Sequence, residues 1–263
     1  VSLDHAALQA ALQGRAFIGK SLEVHESIGS TNDLARELGL RGAPEGTVVL
    51  AQEQTGGRGR HGRVWSSPRG GLYCSIVLRP DDALLRRAPI TLVGGLAASE
   101  ALDVAARVAT TLKWPNDVFL EGKKVGGILG ELTTHAGGNV LVLGVGLNVD
   151  ILPGAWPPEV RALATSILAA KGRAPAIEEV FRHYVEHLEA HYDHLRKGGG
   201  PLLLSKAADR MPLLGGRVRV KLEDRTLEGQ ASGLNATGAL VIALDDGKRE
   251  VVYAGEVEEV RPA

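Results

Sequence analysis

The sequence predicts an α+β protein, with a large domain of strands and helices over residues 1–212 and a small all-β domain over residues 213–263. Three observations predict this. The runs GTVVLAQEQ (46–54), GLYCSIVLRP (71–80) and GNVLVLGVGLNVD (138–150) are apolar and β-branched, as buried strands are. Residues 89–107 are Ala-rich, and 177–200 carry apolar residues at helical spacing. From Leu213 the texture changes to alternation at period two, punctuated by the turn signals DR, NATG and DDGK.

The elements follow in chain order. Residues 4–14 read as a short helix stopped by Gly14. SLEVHES (21–27) alternates like a strand. Ser30 and Thr31 are candidate N-caps for a helix through Leu38, with Gly39 or Gly42 as its stop. After the strand at 46–54, residues 56–71 (GGRGRHGRVWSSPRGG) hold too much glycine for a regular element. The strand at 71–80 precedes a long buried helix at 89–107, with Pro89 near its first turn. Residues 110–132 read strand, loop, strand, turn at EGKK, strand; 138–150 form a further buried strand. SILAAKG (166–172), 177–200 and a short segment near 201–210 read as helices. The C-terminal stretch then supplies about five short strands, a small β-barrel that is marginal alone and is expected to lean on the main domain.

Composition narrows the function classes. The 44% hydrophobic and 23% charged residues of this 263-residue chain exclude a disordered protein. No run approaches the ~20 apolar residues of a membrane helix, and the N-terminal VSLDHAALQAALQGR lacks the apolar core of a signal peptide. A single cysteine, Cys74, excludes an intramolecular disulfide and cysteine-rich zinc or iron–sulfur sites, and fits a reducing cytoplasm. A net charge of −1 argues against a generally basic nucleic-acid binder and leaves a local basic patch open.

That patch is the Gly/Arg segment. Arg58, Arg60, Arg63 and Arg69 fall close together, with no acidic residue between Gln54 and Pro80. Glycine lets backbone approach a ligand and guanidinium groups suit carboxylate and phosphate, so an anion is the natural partner. A solvated linker and an RNA-binding RGG segment are the competing readings. GRGRHG (57–62) also satisfies G-x-G-x-x-G, but RVWSSPRGG follows where a dinucleotide site needs a helix, and the chain has no P-loop motif. A second constellation surrounds Lys113. It directly precedes Trp114 and Pro115, and is either a snorkelling surface lysine or a charge aimed at developing negative charge. Asn116 and Asp117 are either Asx-turn residues or polar groups placed near phosphates or Mg²⁺. Gly144 and Gly146 leave room for a ligand to pack on backbone. His183, His187, His191 and His194 share a helix, and HYVEH (183–187) matches a zinc-protease pattern. Turning that helix places Phe181, Tyr184, Val185, Leu188, Tyr192 and Leu195 on one side, so the histidines are read as a solvated opposite face.

Taken together and in order, five segments resemble the biotin protein ligases: Ser30-Thr31-Asn32, Gln54 to Trp65 (QTGGRGRHGRVW), Lys113 to Val118 (KWPNDV), Lys124 to Leu129 (KVGGIL) and Gly144 to Val149 (GVGLNV). The resemblance covers about residues 25–150, and the small β domain fits the rest. It implies a mixed sheet with helices of the class II aminoacyl-tRNA-synthetase/biotin-ligase type, followed by an SH3-like barrel. It also implies a reaction in which biotin attacks the α-phosphate of Mg²⁺–ATP to give biotinyl-5′-AMP, which then passes to a lysine of the biotin carboxyl carrier protein of acetyl-CoA carboxylase. By the same resemblance Lys113 and Arg60 are catalytic. Ser30, Thr31, Asn32 and Gln54 hold biotin; Arg58, Gly59 and Arg60 close over the biotin and the adenylate, Arg58 and Arg60 also meeting the nucleotide; Lys113 bridges the biotin carboxylate and the α-phosphate. Arg63, Trp65, Asn116 and Asn148 meet the nucleotide, while Gly126, Gly127 and Gly144 to Gly146 shape the floor; the Mg²⁺ ligands are unassigned. Many bacterial relatives add an N-terminal winged helix-turn-helix. The 29 residues before Ser30 are too few for that module, so a cytoplasmic ligase without DNA binding is expected, with a homodimer through a sheet edge as an open possibility. Lipoate–protein ligase is the nearest alternative; a non-catalytic nucleic-acid-binding regulator and a His-helix metallohydrolase are the others.

Overall fold

The computed structural model describes residues 3–86 and 90–260. Pro89, expected at the first turn of a helix, lies outside them. The described chain runs α1 (His5–Leu12), β1 (Leu22–Ile28), α2 (Thr31–Leu40), β2 (Val48–Gln54), β3 (Gly71–Leu78), α3 (Asp82–Leu85), α4 (Ile90–Ala106), β4 (Thr111–Lys113), β5 (Asp117–Leu120), β6 (Lys123–His135) and β7 (Gly138–Asn148). There follow α5 (Pro158–Arg161), α6 (Ile167–Lys171), α7 (Ile177–Arg196) and α8 (Gly200–Asp209). Five strands close the chain: β8 (Arg217–Lys221), β9 (Thr226–Leu234), β10 (Leu240–Ala243), β11 (Arg249–Val252) and β12 (Glu256–Glu259).

Seven strands make one mixed sheet in the order β1-β2-β3-β7-β6-β5-β4. β1 and β2 pair in parallel and every other neighbour is antiparallel. Period-two alternation sorts its two faces. Leu72, Cys74, Ile76 and Leu78 of β3, with Leu141, Leu143 and Val145 of β7, join the main core beneath α4 and α7. Val77, Val140 and Val142 point the other way and pack with Ala35 of α2 and Val49 of β2. Gly94 lets α4 settle on that first face, since a Cβ there would come within 3.1 Å of Leu143 and 3.2 Å of Ile128. Asp4 caps α1 by accepting from the amides of Ala6 and Ala7, and Ser166 caps α6 through Ala169 N–H.

The C-terminal strands form a separate five-stranded antiparallel sheet, order β11-β10-β9-β8-β12. Val218 and Val220 are buried between exposed Arg217, Arg219 and Lys221, as the period-two texture predicts. This sheet is tied to the larger one by a buried hydrogen bond from Trp114 Nε1 to Gly238 O, 3.0 Å.

The histidine-rich helix needs a correction. Phe181, Tyr184, Val185, Leu188, Tyr192 and Leu195 are buried as expected. The histidines, however, are not one solvated face: His194 is exposed, His183 and His187 are half-buried, and His191 is buried. The reason is α4, which lies along that flank of α7 and presents Glu100, whose carboxylate pairs with His191 and His187. Burial pushes the Glu100 carboxyl up, and the His191 hydrogen bond, with the charges of His191, His187 and Arg210, outweighs that and holds it below its ordinary value.

Candidate active site

The site lies on the α2 face of the sheet, where β7 stops presenting valines. Val140 and Val142 pack under α2; the next two residues of the same face are Gly144 and Gly146. A Cβ on Gly144 would sit 2.1 Å from Asn32 Oδ1, and one on Gly146 would sit 2.6 Å from Trp65 Nε1. Those missing side chains make the floor of a cavity of about 270 Å³.

One wall is the N-terminus of α2. Ser30, Thr31 and Asn32 are buried, and Ser30 occupies the N-cap position without a side-chain capping bond. Gln54 Oε1 accepts from both the amide and the hydroxyl of Thr31, at 2.8 and 3.0 Å, while its Nε2 donates to Ser67 Oγ at 2.9 Å. Ser75 Oγ lies 2.6 Å from Asn32 Oδ1 and 2.8 Å from Thr31 Oγ1. Ser75 has one proton, and Asn32 Oδ1 can only accept, so that proton goes to Asn32. Asn32 Nδ2 donates to Glu131 Oε2 at 2.7 Å. The wall is thus held rigid by its own hydrogen bonds.

The Gly/Arg segment folds back over the mouth. Backbone bonds from Gly59 N to Arg63 O and Trp65 N to Gly57 O give it a hairpin shape, with His61 and Gly62 at left-handed φ of 55° and 72° at the tip. No helix N-terminus follows its glycines beyond the three-residue 3₁₀ turn Arg60–Gly62, so the G-x-G-x-x-G spacing carries no dinucleotide site. Arg58 is held 2.9 Å from both Asp33 and Glu131. Arg60 donates to Asn116 Oδ1 at 3.2 Å. Asn116 in turn is pinned to Ile128 through a backbone bond and its own Nδ2, so it fixes where the Arg60 guanidinium stands. Burial draws Arg60 below its ordinary value against the pull of Asp117, and arginine keeps its charge at neutral pH regardless. Arg63 pairs with Glu256 of the C-terminal sheet.

Lys113 ends β4 at the pocket wall, its Nζ 5.5 Å from the Phe119 ring centroid. Among the described residues it has no hydrogen-bond or ion-pair partner. Lys124, by contrast, is paired with Asp117 at 2.6 Å and lies over the Trp65 ring at 5.2 Å. Arg58, Arg60, Arg63, Lys113 and Lys124 line the cavity against Asp117, Glu256 and Glu258, an excess of cations. A neighbouring hollow of about 570 Å³ shares Gln54, Val64 and Trp65 but has no lysine or arginine in its wall. An anion therefore belongs in the first cavity. Among the described residues the cavity brings no acidic trio together. Its carboxylates are Asp117, paired with Lys124, Glu256, paired with Arg63, and Glu258.

Of the residues singled out from the sequence, Ser30, Thr31, Asn32, Gln54, Arg58, Gly59, Arg60, Arg63, Trp65, Lys113, Asn116, Gly127 and Gly144 all line this one cavity. Gly126 does not, since a Cβ there would meet Leu147 at 2.4 Å; nor does Asn148, which is buried and donates to Thr165 O at 2.9 Å. Its Oδ1 and Trp65 Nε1 are buried without a partner among the described residues. Sequence reasoning missed Ser75 and Glu131. Glu131 was within reach, since it follows Gly127 and Leu129 on the same strand face. The C-terminal residues Gly255 to Glu258, which complete the rim, carry no local signal.

With this geometry in place the relatives are informative. Residues 24–150 match the Biotin/lipoate A/B protein ligase family and residues 213–258 the biotin protein ligase C-terminal domain. The chain is 34% identical to the bifunctional ligase/repressor BirA of Bacillus subtilis, over 92% of this chain and 74% of that protein. It is also 34% identical to the biotin–[acetyl-CoA-carboxylase] ligase of Mycobacterium tuberculosis, over 98% of this chain and 96% of that one. The solved biotin protein ligase of Aquifex aeolicus in complex with biotin and ATP superposes with a TM-score of 0.78 at 30% identity, over 92% of this chain and all of that chain. The chain belongs to the Biotin/lipoate A/B protein ligase family, as a ligase that carries the biotin protein ligase C-terminal domain.

Proposed function

We propose that this cavity activates biotin with ATP and hands it to a carrier lysine. A biotin carboxylate oxygen attacks the α-phosphorus of ATP, the bond to the β-phosphate bridge breaks, and biotinyl-5′-AMP and pyrophosphate form. A deprotonated lysine amine of a biotin carboxyl carrier protein, that of acetyl-CoA carboxylase, then attacks the mixed anhydride and releases AMP. The observation that carries this reading is Lys113, a cation with no hydrogen-bond or ion-pair partner among the described residues, on the wall of a pocket already rich in arginine. Two anions must approach each other there, and a cation 4 Å from a carboxylate is worth about 4 kcal/mol at an effective dielectric of 20.

Position in the cavity supports the following roles. Ser30, with its hydroxyl uncommitted, and the Thr31-Asn32-Gln54 wall receive the biotin head. Arg58, Gly59 and Arg60 cover the reacting carboxylate and keep water from the anhydride. Lys113 and Arg60 stabilise charge at the α-phosphate. Trp65, Arg63 and Asn116 meet the nucleotide. Mg²⁺, when bound, would offset the charge of the ATP phosphates, and Asp117 on the cavity wall would help hold it. Residues 1–212 act as the catalytic unit, and 213–263 complete the rim. The buried, unpaired Cys74 suits a reducing compartment.

ATP–pyrophosphate exchange with a panel of biotin, lipoate, octanoate and amino acids tests the first half-reaction. Exchange with biotin alone is expected. Exchange with lipoate or octanoate would keep the adenylate chemistry and replace the substrate; no exchange with any acid would refute the reading.

A further inference from the structure

Away from the cavity, Glu100 of α4 and His187 and His191 of α7 bring one ligand atom each to within 4.8 Å of one another. His191 Nε2 is 2.5 Å and His187 Nδ1 3.3 Å from the same oxygen, Glu100 Oε2. We propose that these three side chains bind a zinc-class divalent ion that clamps α4 to α7.

The donor set points to this metal class. Two imidazoles and one carboxylate suit Zn²⁺, whereas Mg²⁺ and Ca²⁺ prefer all-oxygen surroundings. The spacing is equally specific. Residues 187 and 191 are four apart and so share one helix face, and the third ligand comes from a different helix, which makes the site tertiary. Around a tetrahedral ion at about 2.0–2.1 Å, ligand atoms stand about 3.3 Å apart. The His187–Glu100 edge already has that length. The His191–Glu100 edge is shorter because a hydrogen-bond proton holds it. Metal binding replaces that proton, and the edge opens by a fraction of an ångström.

The surroundings permit the charge. Arg210, a cation whose charge reaches Glu100, is engaged by Asp103 at 2.6 Å and by Ser99 Oγ at 2.8 Å. Glu100, Asp103 and Arg210 together leave one negative charge to meet the ion. The His187 side chain is 29% exposed, which leaves a path in from solvent and a fourth position for water. None of the three ligands lines the active-site cavity. The ion is therefore a structural clamp and independent of the ligase chemistry.

The test is a zinc titration of the full-length protein without nucleotide, in competition with a chromophoric chelator. One tight zinc per chain is expected, with affinity at least tenfold weaker in His187→Gln and in Glu100→Gln. At about a hundredfold excess of zinc over the wild-type Kd, Tm should rise by about 5–10 °C in the wild type and by no more than about half as much in His187→Gln. Co²⁺ should give the visible absorption of a four-coordinate site. His187 is the more exposed histidine, so His187→Gln carries the test if His191→Gln does not fold. Equal zinc affinity in wild type and His187→Gln, as surface histidines such as His194 would produce, would overturn the proposal. So would an equal rise of Tm with Mg²⁺.

Discussion

At position 144 one missing methyl group keeps the cavity floor open. A Cβ there would meet Asn32 Oδ1 at 2.1 Å, and Asn32 cannot swing aside without losing its bonds to Ser75 and Glu131. Gly144→Ala is expected to weaken biotin binding at least tenfold, measured by calorimetry, while the circular dichroism spectrum stays that of the wild type. Undiminished affinity would mean that Asn32 takes no part in holding biotin. Lys113 poses the complementary case, a side chain whose removal leaves no buried partner behind. On the proposed reading Lys113→Ala lowers biotin-dependent pyrophosphate exchange by at least about a hundredfold. Its Tm should stay within a degree or two of the wild type, since no ion pair among the described residues is broken. Near-normal exchange in this variant would remove Lys113 from the chemistry.

At the scale of elements, tertiary contacts decide what local pattern leaves undetermined. The backbone amides of Ala16, Phe17 and Ile18 all donate to the Glu189 carboxylate of α7, at 3.1, 2.9 and 2.9 Å. This anchors the segment between α1 and β1 to the helix behind the sheet. Glu189→Ala should cost about 1.5–3 kcal/mol, the range of a hydrogen bond to a charged group. Urea denaturation measures it, with the exposed Glu179→Ala of the same helix as the control expected to change little. An effect no larger than the control's would show that water serves those amides equally well. The same division between local and tertiary explains what the sequence made legible. β2, β3 and β7 are readable because β-branched runs have few other uses, and the C-terminal strands because alternation needs only neighbours. α3 and α5 are single turns, too short for a period to register. The strand order is set by pairings between distant residues, such as Ser75 opposite Gly144, and no local pattern encodes it. The histidine face of α7 was misjudged for this reason too. A helical wheel assumes one buried stripe, and α4 covers a second flank by supplying Glu100. The candidate site was the more legible part, because its arginines, glycines and Lys113 stand in short motifs that one sheet face gathers. Ser75 and the rim at Gly255 to Glu258 arrive from strands with no motif of their own.

At the scale of the whole molecule, the two sheets must hold together for the cavity to have a mouth. The C-terminal unit supplies Gly255 to Glu258 to the rim and meets the Gly/Arg hairpin through Glu256 and Arg63. That ion pair is exposed, so it adds at most about 1 kcal/mol. The stronger tie is the buried bond from Trp114 Nε1 to Gly238 O. It starts one residue from Lys113, so the same loop presents the cation and grips the second sheet. Trp114→Phe keeps most of the apolar contact but leaves the Gly238 carbonyl buried without its donor. The expected cost is about 1–3 kcal/mol, read as a lower urea midpoint by circular dichroism. On the proposed reading the rim loosens with the tie, so biotinyl-adenylate should also escape several-fold faster from this variant than from wild type. A stability loss with unchanged adenylate retention would mean that the C-terminal unit braces the fold without closing the site. Unchanged stability and retention together would mean that apolar packing alone holds the two sheets in place.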